Sequence, residues 1–163
     1  MEAINNIYEK LHTLGLELPN PPARGGVYAS AKSFGNNLVY VSGCGPSIGG
    51  AIVQGKLGQD LSVEEGQLHA RNCMLNVLSV LQAHIEDLNK VKQVVKITVF
   101  VASDNSFYEQ PKVANGGSGL LVDLFGEAAG APSRSAIGVN VLPGNIPVEI
   151  EALFELNDPE YPD

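Results

Sequence analysis

Residues Val91 to Val101 place the strongest constraint on how this chain can fold. Val95, Ile97, Val99 and Val101 alternate onto one face, while Val94, Thr98 and Phe100 share the other with Lys92 and Lys96. A period of two is the signature of a strand. With apolar side chains on both faces, this strand belongs in the interior of a sheet. The chain has 163 residues, which suits one domain around a single core.

Other segments supply the partners. Ser62 and Glu65 form an S-x-x-E capping box, followed by apolar residues at Ala70, Met74, Val77, Leu78, Leu81, Ile85 and Leu88. That pattern predicts a long helix with one buried stripe. Val27 to Ser33, the Gly35-Asn36-Asn37 turn and Leu38 to Ser42 predict a hairpin. Residues 43 to 58 read as a flexible Gly-rich loop with a short strand at Ala51 to Val53. A second helix is predicted from about Val113 to Gly126, its start weakened by Gly116, Gly117 and Gly119. Ile4, Ile7, Tyr8, Leu11 and Leu14 predict an amphipathic helix within residues 2 to 16, and Pro19, Pro21 and Pro22 an extended linker. Two strands follow the second helix, and the tail from Asn157 to Asp163 is expected to fray.

The order β-β-(β)-α-β-α-β-β predicts an α+β fold, a mixed sheet with two helices on one face. Residues 1–24 carry the extra N-terminal helix and linker, 25–156 the core and 157–163 the tail. Few elements remain to cover the other face, so self-association is expected.

Ten Lys and Arg against eighteen Asp and Glu give a net charge of −8, which argues against wrapping nucleic acid. No apolar run is long enough for a membrane span. The N-terminus lacks a basic region followed by an apolar one, so no signal peptide is expected and the chain reads as cytoplasmic. Cys44 and Cys73 lack metal or redox spacing and read as reduced packing residues. His12, His69 and His84 lie too far apart in sequence to suggest a metal site.

The chemistry concentrates near the C-terminus. Arg134 stands among small and apolar residues in Pro132-Ser133-Arg134-Ser135-Ala136-Ile137-Gly138-Val139. A guanidinium in a partly desolvated setting suits bidentate capture of a carboxylate, unless it serves only as a structural pair. Glu149, Glu151 and Glu155 alternate with Val148, Ile150, Ala152 and Phe154. They are either a solvated face or a source of a general acid or base. If the last two strands form a hairpin around Pro143-Gly144-Asn145, Arg134 pairs near Leu153 or Phe154. Glu149 is then about 13 to 17 Å further along the ladder. The two would not touch unless a bulge, a long side chain or a second subunit joined them. Tyr28 is either a core residue or a pocket wall. Backbone N–H groups from Gly43 onward are candidates for holding a carboxylate or oxyanion.

Gly26-Val27-Tyr28, Leu38-Val39-Tyr40-Val41-Ser42-Gly43, the strand from Val95 to Val101, and Arg134 through Leu142-Pro143 to Val148-Glu149-Ile150-Glu151-Ala152 resemble the RidA (YjgF/YER057c/UK114) family. The resemblance spans roughly Gly25 to Leu156. It implies a chorismate-mutase-like fold and a homotrimer with pockets between subunits. For active members it implies hydrolysis of enamine and imine intermediates such as 2-aminoacrylate to 2-keto acids and ammonia, without a cofactor. On that basis Arg134 holds the substrate carboxylate, Glu149 positions or activates water, and Tyr28 lines the pocket. Asn115 or Ser118 takes the place of the family's pocket asparagine. Ala136 stands where many members carry a cysteine, so a thiol role is absent. The N-terminal helix marks a divergent subgroup. A non-catalytic binding module for a small carboxylate metabolite is the alternative. An endoribonuclease is a third reading, disfavoured by the charge and the lack of a paired histidine.

Overall fold

A five-stranded sheet in the order β1-β2-β5-β3-β4 carries two long helices on one face. The computed structural model describes residues 6–158. The strands are β1 (Ala31–Phe34), β2 (Leu38–Cys44), β3 (Val91–Ala102), β4 (Ser133–Val139) and β5 (Val148–Leu156). The α-helices among the described residues are α1 (Ile7–Thr13), α2 (Val63–Ile85) and α3 (Gln110–Gly130), the last interrupted at Gly126. This is the expected α+β architecture with an extra N-terminal helix. On β3, Ile97, Val99 and Val101 are wholly buried beneath the helices. Lys96, Thr98 and Phe100 face the other way and are half-buried. The alternation breaks at its start: Val94 is buried and Val95 only half-buried, because the pairing with β5 shifts register between Val94 and Lys96.

The long helix begins at the capping box. Ser62 Oγ accepts from Glu65 N at 3.2 Å, and Glu65 Oε2 accepts from Ser62 N at 2.8 Å. Its buried stripe packs on β2, β5 and α3. Glycines inside α3 carry a helix-propensity cost of roughly 1 kcal/mol each, yet the helix starts well before them, at Gln110. Their use is close approach. A β-carbon on Gly116 would overlap the Gln67 carbonyl oxygen, and one on Gly117 would stand 2.9 Å from Ile150 Cδ1. α2 therefore packs against α3 backbone, where any larger residue would hold the helices apart.

The predicted terminal hairpin does not form. β4 pairs in parallel with β3, and β5 lies antiparallel between β2 and β3. The physical reason is burial. Val148, Ile150, Ala152 and Phe154 are at most 1% exposed, so β5 takes the centre of the sheet. Truncating the fully buried Phe154 to Ala would cost about 3–5 kcal/mol. α3 acts as the crossover that sets β4 beside β3 at the edge, as β-α-β connections do.

Smaller differences are also local in origin. β1 is confined to Ala31–Phe34, and Val27 and Tyr28 precede it in a bend, although the hairpin with β2 forms as expected. No strand forms at Ala51 to Val53, where Ile52 is exposed; the buried residue is Leu57, bridged to Ser103. The loop after Gly43 is anchored, because the buried Asn76 side chain donates to Gly45 O at 2.9 Å and Ser47 O at 2.8 Å. α1 spans Ile7–Thr13, with Ile7 and Leu11 buried; the Ile4 position lies outside the described residues. Of the tail, Asn157 N donates to Lys90 O and Asn37 Nδ2 to Asp158 Oδ1, and residues 159–163 lie outside the described residues.

Candidate functional site

The sequence candidates fall into two groups on separate strands and, for Arg134 and Glu149, on opposite faces of the sheet. The first is built by β4 and α3. Arg134 pairs in register with Ile97, so it faces the helical layer from the edge strand. Its Nη1 donates to Asn115 Oδ1 at 2.8 Å and to Ser118 Oγ at 3.2 Å. Both candidates for the pocket asparagine's place thus hold the guanidinium together. Asn115 and Ser118 are three residues apart on α3, which puts them on one face. A cavity of about 400 Å³ opens beside them, lined also by Gly119, Val122, Ala131 and Pro132. Among the described residues no carboxylate forms an ion pair with Arg134. Ala136 is two residues on, partly buried and packed against the core. It shares Arg134's face of the strand but lies outside the wall of that cavity.

The second group lies on β2, β5 and the segment before β1. A bulge after Val41 sets Ser42 and Gly43 against β5 before pairing resumes at Cys44 and Ile150. Glu149 Oε1 occupies the space that a β-carbon on Gly43 would fill. Only glycine lets the carboxylate lie against the strand there. Burial, and then the neighbouring Glu151 carboxylate, raise the Glu149 pKa above the ordinary carboxylate range. Burial also pushes the Cys44 thiol up to about 12, with Glu149 adding to the effect. Cys44 is therefore a neutral packing thiol at physiological pH. Tyr28 and Gly43 line one cavity of about 210 Å³ with Pro22, Ser30, Ser42 and Cys44. The Tyr28 hydroxyl accepts from Gly25 N at 3.0 Å, which ties the linker to this wall.

Arg134 and Glu149 do not meet within one chain. Arg134 is level with Ile97 and Ala152, and Glu149 is three residues further along β5. Two strand spacings and three residue rises separate their backbones by about 14 Å. They also face opposite sides of the sheet, since Glu149 pairs with Phe100 and Arg134 with Ile97. The separation expected from the sequence holds, but by a different route: β3 stands between the two strands.

A family profile described as "YjgF/chorismate mutase-like, putative endoribonuclease" matches residues 8–156. The chain belongs to the YjgF/RidA family. Protein TCP17 of Trypanosoma cruzi is 45% identical over 158 residues, covering 96% of this chain and 98% of its own. Among solved structures, protein Atu1372 of unknown function from Agrobacterium tumefaciens superposes with a TM-score of 0.85 at 38% identity, over 93% of this chain and 92% of that one. A "putative endoribonuclease" from Shewanella oneidensis MR-1 gives 0.89 at 32% identity, over 93% and 99%.

In this YjgF/RidA chain, three contributors to the two groups escape a reading of the sequence. Asn76 fixes the loop that follows Gly43, and its signal is an asparagine inside the apolar run from Cys73 to Leu81. The bulge at Ser42-Gly43 leaves no signal beyond the glycine itself. Tyr40 donates to Glu151 Oε1 at 3.0 Å on the face away from the helices, a pairing that depends on β2 and β5 being neighbours. Among the described residues, no cluster of His, Cys, Asp and Glu is arranged to hold a metal ion, and no helix is long and apolar enough to cross a membrane.

Proposed function

We propose that this YjgF/RidA chain is an enamine/imine deaminase that hydrolyses 2-aminoacrylate-type intermediates to 2-keto acids and ammonia. The observation that carries the reading is Arg134. Its Nη1 is fixed by two α3 side chains beside an open cavity, and among the described residues no ion pair neutralises its charge. Such a group suits a small carboxylate, held by its remaining donors.

The reaction needs little beyond positioning. The enamine tautomerises to the imine, and water adds to the C=N carbon. One proton leaves the water and one reaches nitrogen. The carbinolamine then collapses to the C=O product and releases ammonia. Glu149 takes the proton from water and returns it to the departing nitrogen, and burial beside Glu151, by raising its pKa, makes it a stronger base than an ordinary carboxylate. Arg134 fixes the substrate and offsets its carboxylate charge.

Because Arg134 and Glu149 lie on opposite faces of one sheet, the working site takes one group from each of two chains. A homotrimer with three shared sites satisfies this, and the side of the sheet carrying Phe34, Tyr40 and Ile137 is the surface it would cover. Site sharing has a quantitative consequence. Mixing Arg134→Ala and Glu149→Gln chains in equal amounts after dissociation should restore about one quarter of the sites, because each site then draws its two groups independently. No recovery over the separate variants would rule out a shared site. The activity itself is tested by generating 2-aminoacrylate in situ and following pyruvate release. Arg134→Ala should lower kcat/KM by on the order of 10²–10³-fold. Equal rates would end the assignment.

Ala136 supports a second reading. With no thiol beside the arginine, the pocket can serve as a carboxylate-binding module without turnover. Calorimetric binding of 2-ketobutyrate without any pyruvate release from 2-aminoacrylate would favour it.

A further inference from the structure

The segment before β1 and the last turns of α2 enclose a cavity of about 400 Å³ that the proposed reaction does not use. Pro21, Pro22, Val80 and Ala83 give it apolar walls, and Arg24, Ser30 and His84 are its polar side chains. It backs onto the Tyr28 cavity and shares Pro22, Ser30 and Val80 with it, but neither Tyr28 nor Gly43 lines it. Its volume lies within the range of small-molecule sites.

Among the described residues no carboxylate lines this cavity, although the chain carries a net charge of −8. Arg24 is exposed, and among the described residues it forms no ion pair. Its Nη1 donates to Tyr28 O at 2.9 Å, which holds the side chain and leaves the Nε–Nη2 edge for a ligand. That edge suits bidentate capture of a carboxylate. Ser33 Oγ and His84 Nε2 lie 2.8 Å apart, a hydrogen bond that fixes the imidazole ring. Orientation follows from the helix. The carboxyl end of α2 disfavours an anion, so the charge belongs at Arg24 and the apolar part against Val80 and Ala83.

We propose that this cavity is a second ligand site, for carboxylates with a compact apolar body, the carboxylate paired with Arg24 and the body between Pro21, Pro22 and α2. The site does not depend on the deaminase reading. The ligand lies within one cavity and does not have to cross into the Tyr28 cavity.

Titration with 3-phenylpropanoate, followed by NMR of the Ala29, Ala31 and Ala83 methyl groups in the cavity wall, tests the site. The acid should shift these signals and bind about tenfold more tightly than 3-phenylpropanol, a difference within the range of one charge-assisted hydrogen bond. Acetate at the same concentrations, with the charge but not the body, should leave them unmoved. Arg24→Gln should bring the acid down to the affinity of the alcohol. Ala83→Leu should abolish binding of both with the fold kept, because leucine is nearly as good a helix former as alanine. Arg134→Ala should change none of these results, which separates this site from the Arg134 cavity. Equal affinities for the acid and the alcohol would overturn the proposal. So would methyl signals that stay still while the acid binds, an Arg24→Gln variant that keeps the preference, or loss of the shifts in Arg134→Ala.

Discussion

The Arg134 end and the Glu149 end of the proposed site treat a charged group in opposite ways. Arg134 sits on an edge strand, and two neutral oxygens on α3 hold one of its nitrogens. Its charge is accommodated and its direction is set. Glu149 lies on the central strand against Gly43, half-buried and close to a second carboxylate. Its charge is resisted, and its pKa rises. In the proposed reaction the first group binds and the second moves a proton. The guanidinium is given partners, whereas the carboxylate is kept short of them, which is why its pKa rises.

The largest test of this contrast is Glu149→Gln. It should lower kcat by about 10²-fold while leaving carboxylate binding at Arg134 unchanged. In the wild type, the rate should rise with pH through the raised Glu149 pKa, placing the acid limb above the ordinary carboxylate range. Glu151→Gln should move that limb to lower pH, as a rate–pH profile would show. The sign for stability is the reverse. The folded chain holds the Glu149 proton more tightly than the unfolded chain, so stability falls as pH rises from the ordinary carboxylate value through the raised one. Glu149→Gln should therefore melt slightly higher than wild type at neutral pH. A lower melting temperature would mean the carboxylate has a stabilising partner.

Gly43→Ala comes next. The added methyl takes the place of the Glu149 carboxylate and should lower kcat by about tenfold, with little loss of stability, because what it displaces is the far end of a flexible side chain. Asn76→Ala tests the same end from below. Losing both loop bonds at a buried site should cost about 2 kcal/mol by denaturant unfolding, with a smaller effect on rate. The smallest change is expected at the Arg134 end. Asn115→Ala and Ser118→Ala should each raise KM by a few-fold and leave the pH profile in place, since each removes one of two supports for the guanidinium and neither touches Glu149. A shift of the acid limb in either variant would erase the distinction between the two ends.

Much of the fold is legible in local pattern. The capping box locates the start of α2, the alternation from Val91 to Val101 identifies an interior strand, and the turn after β1 predicts its hairpin. Arg134 stands out because a guanidinium among small residues needs a reason. The pairing of β4 is not legible. Short connections between consecutive strands favour a hairpin, and only the competing burial of β5 and the α3 crossover overrule it. The α3 glycines mislead for a related reason: propensity weakens a helix locally, but close packing against Gln67 and Ile150 is a tertiary gain.

The sequence by itself determined the two long helices, the main strands, their order and the family, and singled out Arg134 and Glu149 as candidates. Periodicity, capping and composition are properties of neighbouring residues, so they can be read along the chain. Only the tertiary structure decided that Asn115 and Ser118 both hold Arg134, that Glu149 rests on Gly43, and that the two groups face opposite sides of the sheet. Those facts depend on which strands pair and on the desolvation that pairing produces, and no local window contains either.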